Sequence, residues 1–358
     1  MYAGKVGKHT EGRNVVMQFT VWLTYDCNLR CKYCYEGENK AHGKMNLDTA
    51  KNVLAFIKNK INYQHEEDDF DSIEFHGGEP LLNYEVMQYM IEEIKSWETS
   101  APIYMSTTTN AVLLTKDKIE YLMDNLSELS VSLDGTKETH DRNRKFVSGV
   151  GSYDSIIENI EDLIKCKDKP CGLRVRMTVI PETAEYLYRD IEFLVNLGFT
   201  NIVPAMDNFS EWSTEAVDRL YQETTRVYDE IYLKRDALML GLIDNISMRQ
   251  PSVCLAGEKT MHISPDGEIY PCAYVMNEVK FKLGNAEVGI LKDKVEELKK
   301  INEKKIEACS DCAWNFCCIA NRCKLLNYAI TGDYYKPAAS SCMNEHLLLR
   351  IHKYRNKE

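Results

Sequence analysis

Hydrophobic and polar positions follow two alternating patterns through the first half of the chain. Short runs of apolar and β-branched residues, typical of strands, are separated by stretches in which apolar residues recur every three or four positions, as in amphipathic helices. The predicted strands are Gln18–Thr24, Ser72–Phe75, Ile103–Thr109, Leu129–Leu133, Leu173–Ile180 and Asn201–Pro204. The predicted helices are Leu47–Lys60, Asn83–Trp97, Lys116–Asn125, Tyr153–Lys165 and Glu185–Leu197. Six such units predict an α/β fold with a parallel sheet curled into a partial barrel, although the pattern alone does not separate a full barrel from an open sheet.

The pattern changes in the C-terminal part of the chain. Residues from Ser213 to about Ile246 are predicted to be helical, and eight of the thirteen cysteines lie between Cys254 and Cys342. We therefore divide the chain into an N-terminal extension (1–15), a barrel domain (16–212), a helical bridge (213–253) and a cysteine-rich domain (254–358).

Composition excludes several classes of protein. The 358 residues carry a net charge of −11, which argues against a nucleic-acid partner because phosphate contacts need basic surface. No run of eighteen apolar residues is present, so we expect no membrane span, and the N-terminus lacks the apolar segment of a signal peptide. Thirteen cysteines without such a signal predict a cytoplasmic protein with metal or redox chemistry rather than disulfides.

Three cysteines follow the first predicted strand. Cys27, Cys31 and Cys34 have the spacing C-x3-C-x2-C. Three thiolates on one loop can ligate three irons of a 4Fe–4S cluster, which leaves the fourth iron open to a small molecule. The alternatives are a zinc site or buried thiols, but no obvious fourth zinc ligand precedes His42.

Three later strand ends also carry candidate binding groups. The second strand runs into Gly77-Gly78-Glu79-Pro80, where the glycines allow close backbone approach to a ligand and the proline restricts the turn. Asn110 and Ser132 lie at the ends of the third and fourth strands. They are either ligand-binding groups or residues that cap the strand ends. Arg144 follows, and its planar guanidinium is suited to bind a carboxylate through two hydrogen bonds.

The C-terminal cysteines form a third pattern. Cys254 and Cys272 flank a hairpin signature that contains Gly267, with the spacing C-x12-G-x4-C. The remaining cysteines of this region are Cys309, Cys312, Cys317, Cys318, Cys323 and Cys342. Pairs with the spacing C-x2-C commonly form zinc sites, so one or two four-cysteine zinc sites are the alternative to iron–sulfur clusters here.

Together, these motifs resemble the radical S-adenosylmethionine (SAM) superfamily with a C-terminal SPASM extension, over about residues 16–345. The resemblance implies an open (β/α)6 TIM-like barrel, three 4Fe–4S clusters, and SAM bound at the cluster of Cys27, Cys31 and Cys34. One-electron reduction there cleaves SAM to a 5′-deoxyadenosyl radical. The SAM contacts that the resemblance implies are Tyr33, Gly77, Gly78, Glu79, Asn110, Ser132 and Arg144.

The resemblance also divides the C-terminal cysteines between two auxiliary clusters. It implies one cluster at Cys309, Cys312, Cys318 and Cys342 and part of another at Cys254, Cys272 and Cys323. Two features depart from the family pattern: four residues rather than three separate Cys318 from Cys323, and Cys317 is an extra thiol. Either Cys317 is the fourth ligand of the cluster at Cys254, Cys272 and Cys323, or one iron of that cluster has no protein ligand.

Three functions remain to be separated. The resemblance to peptide and protein maturases predicts an enzyme that forms a thioether or carbon–carbon cross-link in a ribosomally made peptide. The alternative is an anaerobic sulfatase maturase that forms formylglycine, but the aspartate expected after Cys272 as a general base is Ala273 here. A non-enzymatic iron–sulfur electron carrier would not need Gly77, Gly78, Glu79 or Arg144.

The predicted chemistry implies partners. A reductant such as flavodoxin or ferredoxin would supply the electron, and a peptide or protein would be the substrate. The residues before the first strand are too few for a leader-peptide-binding domain, so we expect either a separate recognition protein or recognition by the barrel and SPASM surfaces.

Overall fold

The computed structural model describes residues 14–37, 41–61, 69–99, 101–244 and 254–357. Most of the predicted N-terminal extension and residues 245–253 of the predicted helical bridge lie outside these ranges. The strands are β1 (Asn14–Trp22), β2 (Asp69–His76), β3 (Ile103–Thr109), β4 (Glu128–Ser132), β5 (Gly172–Val179), β6 (Asn201–Met206), β7 (Met239–Leu240), β8 (Thr260–Ile263), β9 (Glu268–Tyr270), β10 (Gly284–Asn285) and β11 (Gly289–Ile290). The α-helices are α1 (Leu47–Lys60), α2 (Tyr84–Lys95), α3 (Lys116–Asn125), α4 (Lys137–Asn143), α5 (Tyr153–Ile164), α6 (Leu187–Leu197), α7 (Thr214–Glu230), α8 (Gly241–Asp244), α9 (Lys292–Glu303), α10 (Ile319–Arg322), α11 (Lys324–Thr331) and α12 (Ala339–Asn356).

Strands β1 to β6 form a parallel sheet in chain order, with helices in the connections between them. Phe19 and Val21 of β1 are fully buried, and so are Ile73 and Phe75 of β2. These side chains pack with the apolar faces of the surrounding helices in one large hydrophobic core. The predicted α/β fold with a parallel sheet is therefore confirmed.

The C-terminal domain joins the same sheet through β8. This strand pairs in parallel with β1, with Gln18 opposite Thr260 and Val21 opposite Ile263. It then turns at Gly267, whose φ is +79°, into the antiparallel strand β9. The predicted hairpin is present, and Cys272 follows its second strand, β9.

The segment from Ser213 to about Ile246, predicted to be helical throughout, is interrupted between α7 and α8. Helix α7 ends at Glu230, and the chain then forms the short strand β7, which pairs in parallel with β6. Pairing with Asn201 and Ile202 satisfies backbone groups of β7 at the sheet edge, a long-range contact that helical periodicity cannot predict. None of the helices within the described ranges has the length and apolar character needed to cross a membrane.

The turn after β2 packs directly on the backbone that leads into the cysteine loop. The amide of Gly78 donates to the carbonyl of Thr24 at 3.0 Å, and that of Glu79 donates to the carbonyl of Asp26 at 2.9 Å. A Cβ atom on Gly77 would lie 2.3 Å from the Thr24 oxygen, and one on Gly78 would lie 2.4 Å from the Asp26 oxygen. The two glycines are thus needed for contact with the chain's own loop, whereas the sequence suggested close approach to a ligand.

The other side of the cysteine loop is held by the segment after α4. The amide of Arg30 donates to the carbonyl of Lys145 at 2.7 Å, and that of Lys32 donates to the carbonyl of Asn143 at 2.9 Å. The cysteine loop is therefore fixed between the glycine turn and the segment that contains Arg144.

We predict that Gly78→Ala destabilises the protein by roughly 1–3 kcal/mol, because the new methyl group can be accommodated only if backbone atoms move. Thermal unfolding of the metal-free protein measures this, and iron retention at the cysteine loop should fall as well. Gly172→Ala is the matched control, since its nearest contact would be an ordinary 3.4 Å. Equal thermal stability of the two variants would contradict the docking argument.

Candidate active site

The carboxyl ends of the parallel strands surround a cavity of about 390 Å³. All ten predicted residues of the N-terminal site line it, namely Cys27, Cys31, Tyr33, Cys34, Gly77, Gly78, Glu79, Asn110, Ser132 and Arg144. These residues come from four different strand ends and the segment after α4. The structure thus brings the predicted cluster loop and the predicted SAM contacts to one place.

Arg144 is anchored by a buried ion pair that sequence reasoning missed. Its Nε lies 3.2 Å from Oδ1 of Asp134, and both side chains are almost fully buried. Tyr33 donates its hydroxyl to Oδ2 of Asp134 at 2.5 Å, and the guanidinium lies 5.3 Å from the Tyr33 ring centre. Burial opposes the charged form of Arg144, but Asp134, Tyr33 and Cys31 together outweigh it and raise the arginine pKa. Asp134 follows the fourth predicted strand, which is the signal that could have identified it.

Glu79 binds protein groups as well as lining the cavity. Its carboxylate accepts hydrogen bonds from the Thr109 hydroxyl at 2.7 Å, the Asn110 amide at 2.8 Å and the Leu81 amide at 3.1 Å. Burial raises the pKa of Glu79, and these hydrogen bonds oppose that shift. The carboxylate therefore ties the glycine turn to the end of β3.

The donors around the cysteine loop fit an iron–sulfur cluster. Sγ of Cys27 accepts from the Leu29 amide at 3.4 Å and lies 3.9 Å from the Asn110 side-chain amide, while Nη1 of Arg144 lies 4.0 Å from Sγ of Cys31. Hydrogen bonds to cysteine sulfur stabilise thiolates and tune such clusters. No group of three His, Cys, Asp or Glu side chains within the described ranges has the geometry to hold a single metal ion.

Several of the C-terminal cysteines interact with one another electrostatically. Burial raises the pKa of Cys272 to about 12, with further contributions from Cys323 and Cys254. These three thiols therefore lie within electrostatic range of one another.

The second group lies around Cys342. Burial and then Cys342 and Cys312 raise the pKa of Cys309, and Cys342 also contributes to the raised pKa of Cys318. Metal binding would hold such thiols as thiolates, because a coordinating thiol loses its proton.

Cys317 and Lys324 lie close to these groups. Cys317 is buried, and its thiol donates to the Trp314 carbonyl at 3.7 Å. Lys324 is also buried; burial lowers its pKa, and the nearby Cys309, Cys323 and Cys254 oppose that shift. Lys324 thus interacts electrostatically with cysteines of both groups. No pattern in the sequence indicated that this lysine lies close to the cysteines.

Sequence reasoning missed the other residues that line the cavity, among them Tyr35, His76, Asp207 and Tyr274. Tyr274 belongs to the C-terminal domain, and its ring lies 6.1 Å from that of Tyr35 and 6.0 Å from that of Phe209. Tyr35 directly follows Cys34, and His76 directly precedes Gly77, so their place beside two predicted site motifs could have identified both.

Two family models match the chain. Residues 23–194 match the model described as the Radical SAM superfamily, and residues 254–313 match SPASM, described as an iron–sulfur cluster-binding domain. The first match includes the cysteine loop, the glycine turn and Arg144. The second includes Cys254, Cys272, Cys309 and Cys312.

Known proteins resemble most of the chain. A cysteine-type anaerobic sulfatase-maturating enzyme of Clostridium perfringens (strain 13 / Type A) is 26% identical over 318 residues, which cover 80% of this chain and 83% of the relative. The solved structure of native anSMEcpe with bound AdoMet has a TM-score of 0.78 and 20% identity, and covers 95% of this chain and 100% of that one. Streptococcus suis SuiB bound to precursor peptide SuiA has a TM-score of 0.65 and 17% identity, and covers 92% and 76%. At these identities, the structures show a shared fold.

We predict that Arg144→Ala weakens SAM binding roughly 10- to 100-fold, because a hydrogen bond to a charged group contributes about 1.5–3 kcal/mol. Isothermal titration with SAM measures the change. Arg142→Ala is the matched control, since that guanidinium stacks on Tyr186 at 5.4 Å. An unchanged Kd in Arg144→Ala would place Arg144 outside the SAM site.

We also predict about twelve irons in the anaerobically reconstituted protein, because three cubane clusters carry about four each. Replacing Cys27, Cys31 and Cys34 together with alanine should leave about eight irons and abolish 5′-deoxyadenosine formation. Surviving SAM cleavage would contradict the assignment of this loop. Zinc in place of iron in that variant would support zinc sites in the C-terminal domain.

Proposed function

Because the chain belongs to the radical SAM superfamily and carries a SPASM iron–sulfur cluster-binding domain, we propose that it oxidises a cysteine side chain in a peptide or protein substrate. It is a radical SAM enzyme, and its cofactors are 4Fe–4S clusters and SAM. The division into four segments made from the sequence, a flavodoxin- or ferredoxin-type reductant and a separate leader-peptide recognition protein are further parts of this proposal.

The observation that carries the proposal is a cavity shared by both domains. Cys27, Cys31 and Cys34 line one part, and Tyr274, two residues after Cys272, lines another. Tyr274 contacts Tyr35 of the cysteine loop and Phe209 after β6, so the two domains meet at the cavity. A substrate side chain inserted here would lie between the SAM-binding groups and the cysteines of the SPASM domain.

The shared cavity suits an oxidation that removes two hydrogens. When bound, the cofactors generate the 5′-deoxyadenosyl radical that takes a hydrogen atom, and they accept the electron that the substrate then gives up. The substrate cysteine loses a hydrogen atom from Cβ, the thiol proton and one electron, which leaves a carbon–sulfur double bond. Water then replaces sulfur, so that the products are formylglycine and hydrogen sulfide. The chain's own residues position the thiol and shield the radical from solvent.

Formylglycine formation is our first candidate because the similarity to cysteine-type sulfatase-maturating enzymes extends over most of both chains. A thioether cross-link is the second candidate. Ala273 supports it, because a thiol that lacks the aspartate expected at this position as its base would ionise by binding an open iron of the cluster at Cys254, Cys272 and Cys323.

Incubation with SAM, a reductant and the Kp18Cys peptide, which is present in one solved structure of anSMEcpe, separates these candidates. We expect mass spectrometry to show conversion of the peptide cysteine to an aldehyde that reacts with hydrazine reagents. Loss of two hydrogens together with the alkylatable thiol would instead support the thioether. SAM cleavage with an unchanged peptide would contradict cysteine oxidation of this substrate.

A further inference from the structure

The proposed oxidation needs a group that accepts the thiol proton of the substrate. Ala273 cannot accept it, so the base must lie elsewhere in the cavity. We propose that His76 is this base, acting on the substrate thiol from the end of β2. The assignment rests on the proposed oxidation of a cysteine side chain.

His76 is positioned as the central member of a three-residue array. It is the last residue of β2 and lines the cavity directly before Gly77. Its Nε2 lies 2.9 Å from the hydroxyl oxygen of Tyr35, which also lines the cavity. Its Nδ1 lies 4.0 Å from Oε1 of Glu74, which precedes it by two residues and therefore projects from the same face of the strand.

The remaining contacts hold the imidazole of His76 in place. The Trp22 ring lies 4.9 Å from the His76 ring and donates its Nε1–H to His262 at 3.4 Å. Burial, with a smaller contribution from His76, lowers the pKa of His262 to about 3, so His262 remains neutral. The Glu74 carboxylate is the charged group that faces His76 from its own strand.

Tyr35 can pass a proton to His76 through its hydroxyl, which lies 2.9 Å from Nε2 of the imidazole. A thiol bound at Tyr35 would give its proton to the hydroxyl oxygen as the hydroxyl gives its own to Nε2 of His76. A thiol bound at Nε2 would transfer the proton directly. In both cases the proton ends on the imidazole and the sulfur becomes a thiolate. The imidazolium then releases this proton to solvent, because both hydrogens of the hydrogen sulfide come from the water that replaces sulfur.

Within the array of Tyr35, His76 and Glu74, Nδ1 of His76 is the atom that lacks a hydrogen bond. It is buried and has no hydrogen-bond partner within the described part of the chain. By contrast, the two oxygens of Asp207, a competing base in the same cavity, accept from the Phe209 amide at 3.3 Å and the Ser210 hydroxyl at 2.6 Å. The carboxylate of Asp207 is therefore occupied in stabilising its own loop, whereas a nitrogen of the His76 ring is not occupied by a hydrogen bond.

The experiment compares His76→Gln with the wild-type enzyme, using the Kp18Cys peptide as substrate. Glutamine keeps a hydrogen-bonding group of similar size but cannot accept a proton from a thiol. We expect product formation to fall by about 100-fold or more, the range seen when a general base is removed. SAM affinity and peptide-independent 5′-deoxyadenosine formation should stay within about twofold of wild type, because neither needs the thiol to ionise.

The pH dependence separates a base from a structural role. A cysteine thiol ionises without help near pH 8.5, so the deficit of His76→Gln should shrink as the pH rises from about 7 to about 9. A variant that only misplaces the peptide would show the same deficit at each pH. His42→Gln is the matched control, because His42 is exposed and pairs with Asp26 at 2.7 Å.

Asp207→Asn and Glu36→Gln test the competing carboxylates that line the cavity. Loss of product in either variant, with normal turnover and pH dependence in His76→Gln, would overturn the assignment. If the wild-type enzyme leaves the peptide thiol unmodified, the proposed function fails and the assignment of His76 fails with it. If the wild-type enzyme is active and His76→Gln matches it, only the base assignment is rejected.

Discussion

Backbone pairing along both edges of β1 places the three chemical elements of this chain together. On one edge β1 pairs with β2, which ends at His76 and the glycine turn, and on the other it pairs with β8, which leads through β9 to Cys272. The cysteine loop follows β1 itself. Because strand register is fixed by this pairing, a slip of β8 by one residue would turn its side chains to the other face and displace the SPASM domain from the cavity. The site is therefore specified by the sheet as much as by its loops.

Sequence patterns predicted the locally determined parts of this arrangement. Helix α1 and strand β3 have the predicted bounds. The spacing of their apolar residues and the polar residues at the end of the strand are properties of residues close together in the sequence. Partnerships between distant residues were not predictable in this way. The pairing of β8 with β1, the Arg144–Asp134 ion pair and the seventh strand all join segments that no local period relates. The candidate cluster ligands could be identified from the sequence because cysteine spacing is itself a local pattern. The only sequence signal for His76 was its position next to the glycine pair.

The cavity contains buried charge that is already partly neutralised. Asp134 holds one side of Arg144, so a bound carboxylate would meet a fixed guanidinium rather than a fully uncompensated cation. Breaking such a buried pair leaves one charge without compensation, which makes either partner hard to replace alone. In the SPASM domain, Lys324 is buried against cysteines of both groups, where a cation opposes the negative charge that thiolates bring. In both domains, the buried cations lie where metal binding would concentrate negative charge.

The position of the substrate thiol decides between the two candidate products, because both reactions remove two hydrogens and both need a thiolate. Under our proposals, a thiol held at His76 would lie beside the glycine turn that carries the proposed SAM contacts Gly77 and Gly78. Oxidation would then fall on the β-carbon of the same cysteine and lead to formylglycine. A thiol held by the group of Cys254, Cys272 and Cys323 would lie on the Tyr274 side, and the carbon facing SAM would then belong to another residue. That geometry leads to a thioether. Whether Cys317 completes the Cys254 group therefore matters for the reaction: a fourth ligand there would remove the competing thiol site and leave His76 to position the cysteine.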